Sequence, residues 1–182
     1  MMVVVVMGVA GCGKSTIGPL VAAGLGADFA EGDRFHPPAN VAKMSTGQPL
    51  TDDDRRPWLE AMALAIEGWR RLDRPTVLAC SALRQGYRDI LAGGSAEVRF
   101  VWLRGTRELV TERMAARKGH FMPTSLIGSQ FATLEEPRDA IAIDIDGTPD
   151  EIAAAALLLA GPDSTFVTGQ VLSPNGGIYM SQ

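Results

Sequence analysis

The stretch that most constrains the fold is Gly8-Val9-Ala10-Gly11-Cys12-Gly13-Lys14-Ser15, which follows the run Val3-Val4-Val5-Val6-Met7. The apolar run does not alternate with polar residues, so it reads as a strand buried on both faces of a parallel sheet. A strand of that kind needs helices on both sides. Thr16-Ile17-Gly18-Pro19-Leu20-Val21 can open the first of them. The stretch between has the P-loop pattern G-x-x-x-x-G-K-S, placed between strand and helix as that pattern requires. Its glycines let successive backbone N–H groups turn inward around a phosphate. The helix N-terminus adds partial positive charge at the same point. Lys14 is expected to reach the β- and γ-phosphates, and the Ser15 hydroxyl to ligate Mg²⁺. Gly8, Gly11, Cys12, Gly13, Lys14, Ser15 and Thr16 are therefore the candidate nucleotide-binding residues.

The rest of the chain repeats the alternation. Pro19 falls inside the first helix, where it removes a hydrogen bond and is expected to bend or weaken that turn. Gly24 and Gly26 mark the helix end. Ala27–Ala30, Thr76–Cys80, Val98–Leu103 and Ala140–Ile145 read as four further strands. Residues 40–56 read as irregular, with Gly47 and Pro49 as breakers. Pro57 then reads as the first-turn residue of a helix. In it Trp58, Leu59, Met62, Ile66, Trp69 and Leu72 recur at helical spacing as a core stripe. A helix from about Thr106 points Leu109, Val110 and Met114 inward. Thr148-Pro149-Asp150-Glu151 is a capping box ahead of a final helix, Ile152–Leu159. Five strands alternating with helices predict a three-layer α/β/α fold on a five-stranded parallel sheet.

Polar clusters lie where strands end, which is where open α/β sheets hold ligands. Glu31 and Asp33 stand two apart in Glu31-Gly32-Asp33-Arg34-Phe35-His36 and can reach one metal ion and one substrate hydroxyl. Ser81, Arg84 and Arg88 follow the third strand, the two arginines four apart on one expected helix face. Arg113 and Arg117 are likewise four apart, ahead of the basic loop Lys118-Gly119-His120-Phe121. In a small kinase such a loop is a lid that brings arginines to the transferring group. Surface pairing with Glu108 or Glu112 is the other reading of Arg113 and Arg117.

Composition excludes several classes. The chain has 182 residues, net charge −4 and two cysteines. That size suits one domain. An acidic chain is a poor nucleic-acid binder, and an anionic substrate must be held by a local basic cluster. Cys12 and Cys80 suggest no disulfide framework, which fits a cytoplasmic protein. Met1–Met7 lacks a basic start and is no signal peptide. No apolar run approaches the roughly 20 residues of a membrane span.

Several stretches together resemble the small P-loop gluconokinases. Besides the P-loop they are Gly32-Asp33-x-x-His36-Pro37 with Asn40, Lys43-Met44 and Gly47; Pro49-Leu50-Thr51-Asp52-Asp53-Asp54-Arg55-x-Pro57-Trp58-Leu59; Cys80-Ser81-Ala82-Leu83-x-x-x-Tyr87-Arg88-Asp89; and Gly119-His120-Phe121 followed by Ser129-Gln130-Phe131-x-x-Leu134-Glu135-x-Pro137. The resemblance covers roughly residues 3–160. It implies an ATP:D-gluconate 6-phosphotransferase with a nucleoside-monophosphate-kinase-like fold, a lid over about 117–137, and a homodimer. It implies Gly11–Thr16 on the triphosphate of ATP, and Ser15 with Glu31 on Mg²⁺. Asp33 would orient the 6-hydroxyl and take its proton late. His36, Arg55, Ser81, Arg84, Arg88, His120 and Gln130 would hold gluconate, and Arg113 and Arg117 would close over ATP. Three positions depart from the family's habit. Glu31 stands where Asp is common, Arg84 where Lys is common, and Cys12 where Ser is common. Asp-Arg-x-Pro-Trp-Leu speaks against a shikimate or nucleoside-monophosphate kinase. A GTP switch would need Asn-Lys-x-Asp, which does not occur.

The last residues read differently. Ser164-Thr165-Phe166-Val167-Thr168-Gly169-Gln170-Val171-Leu172-Ser173-Pro174-Asn175-Gly176-Gly177 resembles the closing segment of short-chain dehydrogenases. Neither G-x-x-x-G-x-G after a strand nor Tyr-x-x-x-Lys accompanies it. The chain is therefore divided into a kinase domain, 1–163, and an appended tail, 164–182. The tail is apolar enough to add an edge strand and is expected to be dispensable for catalysis.

Overall fold

The computed structural model describes residues 2–116, 125–160, 171, 172 and 174. Arg117, His120, most of the lid loop and most of the tail lie outside the described residues. The central strand β1 is Val3–Met7, with every residue buried. Its side chains part by alternation. Val4 and Val6 enter one apolar cluster, while Val3, Val5 and Met7 enter the other. The continuous apolar run thus serves two cores, one on each face of the sheet.

Around β1 the chain adds β2 (Asp28–Glu31), β3 (Thr76–Ala79), β4 (Val98–Arg104) and β5 (Ile141–Asp144), all parallel. A two-residue strand β6 (Val171–Leu172) pairs parallel with β5, so the spatial order is β2-β3-β1-β4-β5-β6. The expected five strands are all present, and the tail supplies the sixth. The helices are α1 (Lys14–Leu25), α2 (Pro38–Ser45), α3 (Asp52–Arg71), α4 (Gln85–Ala92), α5 (Arg107–Ala116), α6 (Ser125–Thr133) and α7 (Pro149–Ala160). Trp58, Leu59, Met62 and Ile66 of α3 are buried and Trp69 packs partly against them, but Leu72 is exposed because α3 ends at Arg71 and Leu72 lies beyond it.

Local physics explains the departures from the sequence reading. α3 begins at Asp52, six residues before Trp58, because Thr51 caps it. Asp54 N donates to Thr51 Oγ1 at 3.2 Å, and the Asp54 carboxylate accepts from Thr51 N at 2.7 Å. Three aspartates in the first turn favour the helix dipole, so Pro57 is carried inside the helix. α2 occupies part of the segment expected to be irregular, started by Pro38 at its first position. Pro19 does not interrupt α1, which runs on to a left-handed Gly26 cap. Thr148 and Glu151 form the expected box before α7, with Thr148 N donating to Glu151 Oε2 at 2.8 Å.

Candidate active site

The P-loop connects β1 to α1. Gly8, Gly11 and Gly13 have φ of 142°, 83° and 104°, values that favour glycine. A Cβ on Gly11 would also meet the Met114 side chain at 2.5 Å. Lys14 Nζ donates to the carbonyls of Gly8 and Val9, each at 2.9 Å, so the ammonium lies over the loop. Ala10 N donates to Gln130 Oε1 at 2.6 Å, which ties α6 to the loop. The Cys12 side chain is buried in the core. Ser15 stands beside the Glu31 carboxyl at the end of β2, close enough to favour its ionised form. Burial pushes the Glu31 pKa up, Asp33 pushes in the same direction, and Ser15 opposes both. Hydroxyl and carboxylate oxygens beside a phosphate loop are the hard donors Mg²⁺ takes. Among the described residues no cluster of three or more His, Cys, Asp or Glu could hold a metal by itself. An ion at Ser15 and Glu31 would therefore complete its shell from phosphate oxygens and water.

A cavity of about 690 Å³ opens beside the P-loop. Lys14, Asp33, His36, Arg55, Ser81, Arg84 and Gln130 all line it. Asp33 sits on a 3₁₀ turn, Gly32–Phe35, that leaves β2 directly. Trp58 Nε1 donates to Gly32 O at 2.8 Å and pins that turn to α3. The His36 ring stacks on Trp58, with centroids 4.4 Å apart and planes 9° apart. Burial holds the His36 pKa below its usual value.

Further lining comes from α3 and α4. Tyr87 OH donates to Asp52 Oδ1 at 2.5 Å, and Arg84 Nη1 donates to Asp52 Oδ2 at 2.6 Å. Arg55 Nη1 stands 3.5 Å from both Asp52 Oδ1 and the Tyr87 hydroxyl. The two guanidinium carbons lie 5.9 and 6.0 Å from the Tyr87 ring centroid. The Tyr87 hydroxyl bond lowers the Asp52 pKa, and attraction from Arg84 and Arg55 adds to it. One carboxylate thus already rests on a tyrosine and two arginines. Asp52 is exposed and the two arginines are half-buried, so the Asp52–Arg84 pair at least can exchange partners cheaply.

Among the described residues, two of the predicted catalytic and substrate residues, Arg88 and Arg113, do not line this cavity. Arg88 is 1% exposed, and its guanidinium donates to Ala82 O at 3.0 Å and to Gln85 Oε1 at 2.8 Å. Ala82 has φ of 43°, unusual for a non-glycine, so Arg88 braces a strained turn. Arg84 and Arg88 do not share a helix face. Arg84 is the extended residue before α4, and only Arg88 is helical. Arg113 donates to Ile145 O instead of pairing with Glu108 or Glu112. Ile145 lines a second cavity of about 340 Å³ with Arg104, Gly105, Thr106, Leu109, Asp144 and Asp146. There Arg104 and Asp144 form a two-bond pair at 2.6 and 3.0 Å. Arg117 and His120 lie outside the described residues. Asp52, Tyr87 and Trp58 also line the first cavity without having been singled out as ligands. Their signal was present in the runs Pro49–Leu59 and Cys80–Asp89.

A family model described as shikimate kinase matches residues 10–142. The chain is 41% identical over 157 residues to the thermoresistant gluconokinase of Escherichia coli, covering 84% of this chain and 90% of that one. It is 49% identical over 135 residues to the gluconokinase of Gluconobacter oxydans, covering 74% and 76%. The crystal structure of a gluconokinase from Sinorhizobium meliloti superposes with a TM-score of 0.77 at 45% identity, covering 86% and 90%. A shikimate kinase from Aquifex aeolicus, at 15% identity and a TM-score of 0.55, shares the fold. A P-loop of this geometry, an acid-and-arginine cavity beside it and these relatives agree: the chain belongs to the family of P-loop kinases that the shikimate kinase model describes and stands among its gluconokinases.

Proposed function

We propose that the chain transfers the γ-phosphoryl group of ATP to the 6-hydroxyl of D-gluconate, giving 6-phospho-D-gluconate and ADP. The observation that carries this reading is one cavity lined both by Lys14 and Asp33 and by Arg55, Tyr87 and Arg84. An open-chain sugar acid has hydroxyls and a carboxylate, and the lining offers an acid for the one and arginines for the other. The bonds of Tyr87 and Arg84 to the Asp52 carboxylate support the reading that these groups can take a carboxylate. The gluconokinase names of the relatives support the same substrate.

In the transfer the 6-hydroxyl oxygen bonds the γ-phosphorus as the bond to the β–γ bridging oxygen breaks. Asp33 orients the hydroxyl and takes its proton as the bond forms. Gly8, Gly11, Cys12, Gly13 and Thr16 present the loop to the phosphates, and Lys14 spans the β- and γ-oxygens. Ser15 and Glu31 would hold Mg²⁺, which neutralises charge on those oxygens. His36, Ser81 and Gln130 offer hydrogen bonds to the sugar hydroxyls, and His120 would join them from the lid. Arg113 and Arg117 are assigned to the lid side, over ATP. The nucleoside extends toward the second cavity, at the carboxyl ends of β4 and β5. Arg88 supports the wall through the Ala82 turn. We also assign the chain to the cytoplasm as a homodimer whose kinase domain is 1–163. Among the described residues no helix is long and apolar enough to cross a membrane.

The test is an ATP panel with gluconate, shikimate and nucleoside monophosphates as acceptors, read by ADP release and product mass. Phosphorylation of gluconate alone is expected. A shikimate or nucleotide kcat/KM equal to or above that of gluconate overturns the reading.

A further inference from the structure

Asn40 is a buried polar side chain that the mechanism above does not use. Its amide nitrogen Nδ2 donates to the Asp54 carbonyl at 2.7 Å. The opposite amide orientation would set two oxygens against each other there, so the nitrogen is fixed by its partner. The same nitrogen has a second hydrogen, and it lies 3.4 Å from His36 Nδ1. Nδ1 must then be the accepting nitrogen of the ring. The ring plane is fixed as well, by the parallel stack on Trp58, whose own Nε1 is tied to Gly32 O. The other ring nitrogen, Nε2, makes no hydrogen bond among the described residues, and His36 lines the large cavity.

We propose that Asn40 locks His36 in the neutral Nε2–H tautomer, making His36 a fixed hydrogen-bond donor to one hydroxyl oxygen of the acceptor substrate. Asn40 is thus a positioning residue, acting through His36. Burial keeps the imidazole uncharged at neutral pH; Asp33 opposes this and Arg55 assists it. A neutral donor has a use beside Asp33. An imidazolium there would attract the Asp33 carboxylate and weaken its pull on the 6-hydroxyl proton. A polyol acceptor with an oxygen opposite Nε2 gains one bond. An analogue deoxygenated there leaves this half-buried donor unpaired, which is how polar sites reject near-isosteres.

The identity of the acceptor rests on the gluconate reading, but the tautomer does not. The experiment therefore begins with ¹⁵N-edited NMR of the full chain without substrate. The chain has two histidines, His36 and His120, so His120→Gln assigns the His36 ring. At neutral pH we expect a pyrrole-type Nε2 and a pyridine-type Nδ1. Asn40→Ala should mix the tautomers and raise KM for gluconate about tenfold, the worth of one hydrogen bond, with kcat changed less than about twofold. His36→Gln, which keeps a terminal N–H donor, should stay within about threefold of wild-type KM, and His36→Leu should lose about tenfold or more. An Nδ1–H ring or an imidazolium in the wild-type spectrum overturns the proposal. So does a folded Asn40→Ala with unchanged tautomer and KM, or equal KM for the Gln and Leu variants. If Asn40→Ala does not fold, the wild-type spectrum and the two His36 variants decide. If the chain phosphorylates another acceptor, the gluconate reading fails while the tautomer still stands or falls by the spectrum.

Discussion

The two sides of the large cavity are made in opposite ways. The P-loop side is mostly backbone: its shape is set by three positive-φ glycines within six residues, Gly8 to Gly13, with the Lys14 ammonium laid over them. The acceptor side is side chain. Asp33 and His36 come from the turn after β2, Asp52 and Arg55 from the start of α3, and Arg84 and Tyr87 from the start of α4. A backbone site is written contiguously and survives any packing that keeps strand, turn and helix in line. A side-chain site exists only where several element ends converge. Changes on the first side, and at Asp33 where the two sides meet, should therefore act on the chemical step, and changes elsewhere on the second mainly on which acceptor is held.

The largest expected effect is on the backbone side. Lys14→Ala should lower kcat by about a thousandfold or more, with a circular dichroism spectrum and Tm like wild type. Among the described residues the Lys14 ammonium hydrogen-bonds the carbonyls of the loop, so a kcat within about tenfold of wild type would break the assignment. Asp33→Asn is the next largest, a kcat loss of about 10²–10⁴ with ATP affinity nearly unchanged. Normal gluconate turnover by that variant would make Asp33 an ordinary loop residue.

Within the acceptor side, Arg84 and Arg88 sharpen the contrast. Arg84→Ala should raise KM for gluconate roughly tenfold to a hundredfold while leaving KM for ATP within about twofold, because it removes a charged donor from the wall. Arg88→Ala should act on stability instead. It leaves the Ala82 carbonyl without its buried donor, at a cost of about 1–3 kcal/mol in denaturant unfolding. Equal KM and stability profiles for the two variants would erase the distinction between a lining and a bracing arginine.

A smaller effect is expected at the cap that sets the start of α3. Thr51→Ala should cost about 1 kcal/mol by denaturant titration, with a modest rise in KM for gluconate as Asp52 and Arg55 loosen. The same cap gives a pH signature. The Lys43 bond, followed by the Thr51 donors, holds the Asp54 pKa at about 2, against an unfolded value of 3.8. A depressed carboxyl pKa contributes stability above the unfolded value and loses it as pH falls toward the folded one. Stability should thus drop between about pH 4 and pH 2, and Asp54→Asn should flatten that part of the curve. An unchanged acid profile in Asp54→Asn would remove the cap as the cause.

The smallest effect on activity is expected at the far edge of the sheet. A chain ending at Asp163 should keep its kinase activity within about threefold and bind no NAD(P), although it exposes the edge of β5 that β6 covers. Gly147→Ala tests the same contact in the full chain. A Cβ there would meet the Pro174 carbonyl at 2.2 Å, so the tail must shift. A soluble, folded but inactive truncated chain, or calorimetric binding of NAD(P), would overturn the tail's dispensability.

Much of the fold was legible because its signals are local. The run Val3–Met7, the capping box at Thr148–Glu151 and the stripe of α3 each depend on neighbours within a turn or a strand. The departures have more than one origin, one of them a local cap and one a long-range pairing. Pro57 looks like a helix start in isolation, but the reciprocal Thr51–Asp54 bonds stabilise one more turn ahead of it. Arg84 and Arg88 look equivalent at a spacing of four, but α4 begins between them. The sixth strand depends on an edge of β5 far away in sequence.

The sequence by itself determined the phosphate loop, the parallel sheet around β1 and the set of polar residues that follow the strand ends. Those follow from glycine's conformational freedom, from the burial pattern of single elements and from the rule that strand ends carry the site. Only the tertiary structure decided which of those polar residues share a cavity. It set Tyr87 between two arginines on Asp52, turned Arg88 inward beneath Ala82, and gave His36 an indole face and an amide partner. The physical reason is that hydrogen bonds and ion pairs act over about 3–4 Å, and contacts that short between α3, α4 and the turn after β2 are fixed by how these elements pack.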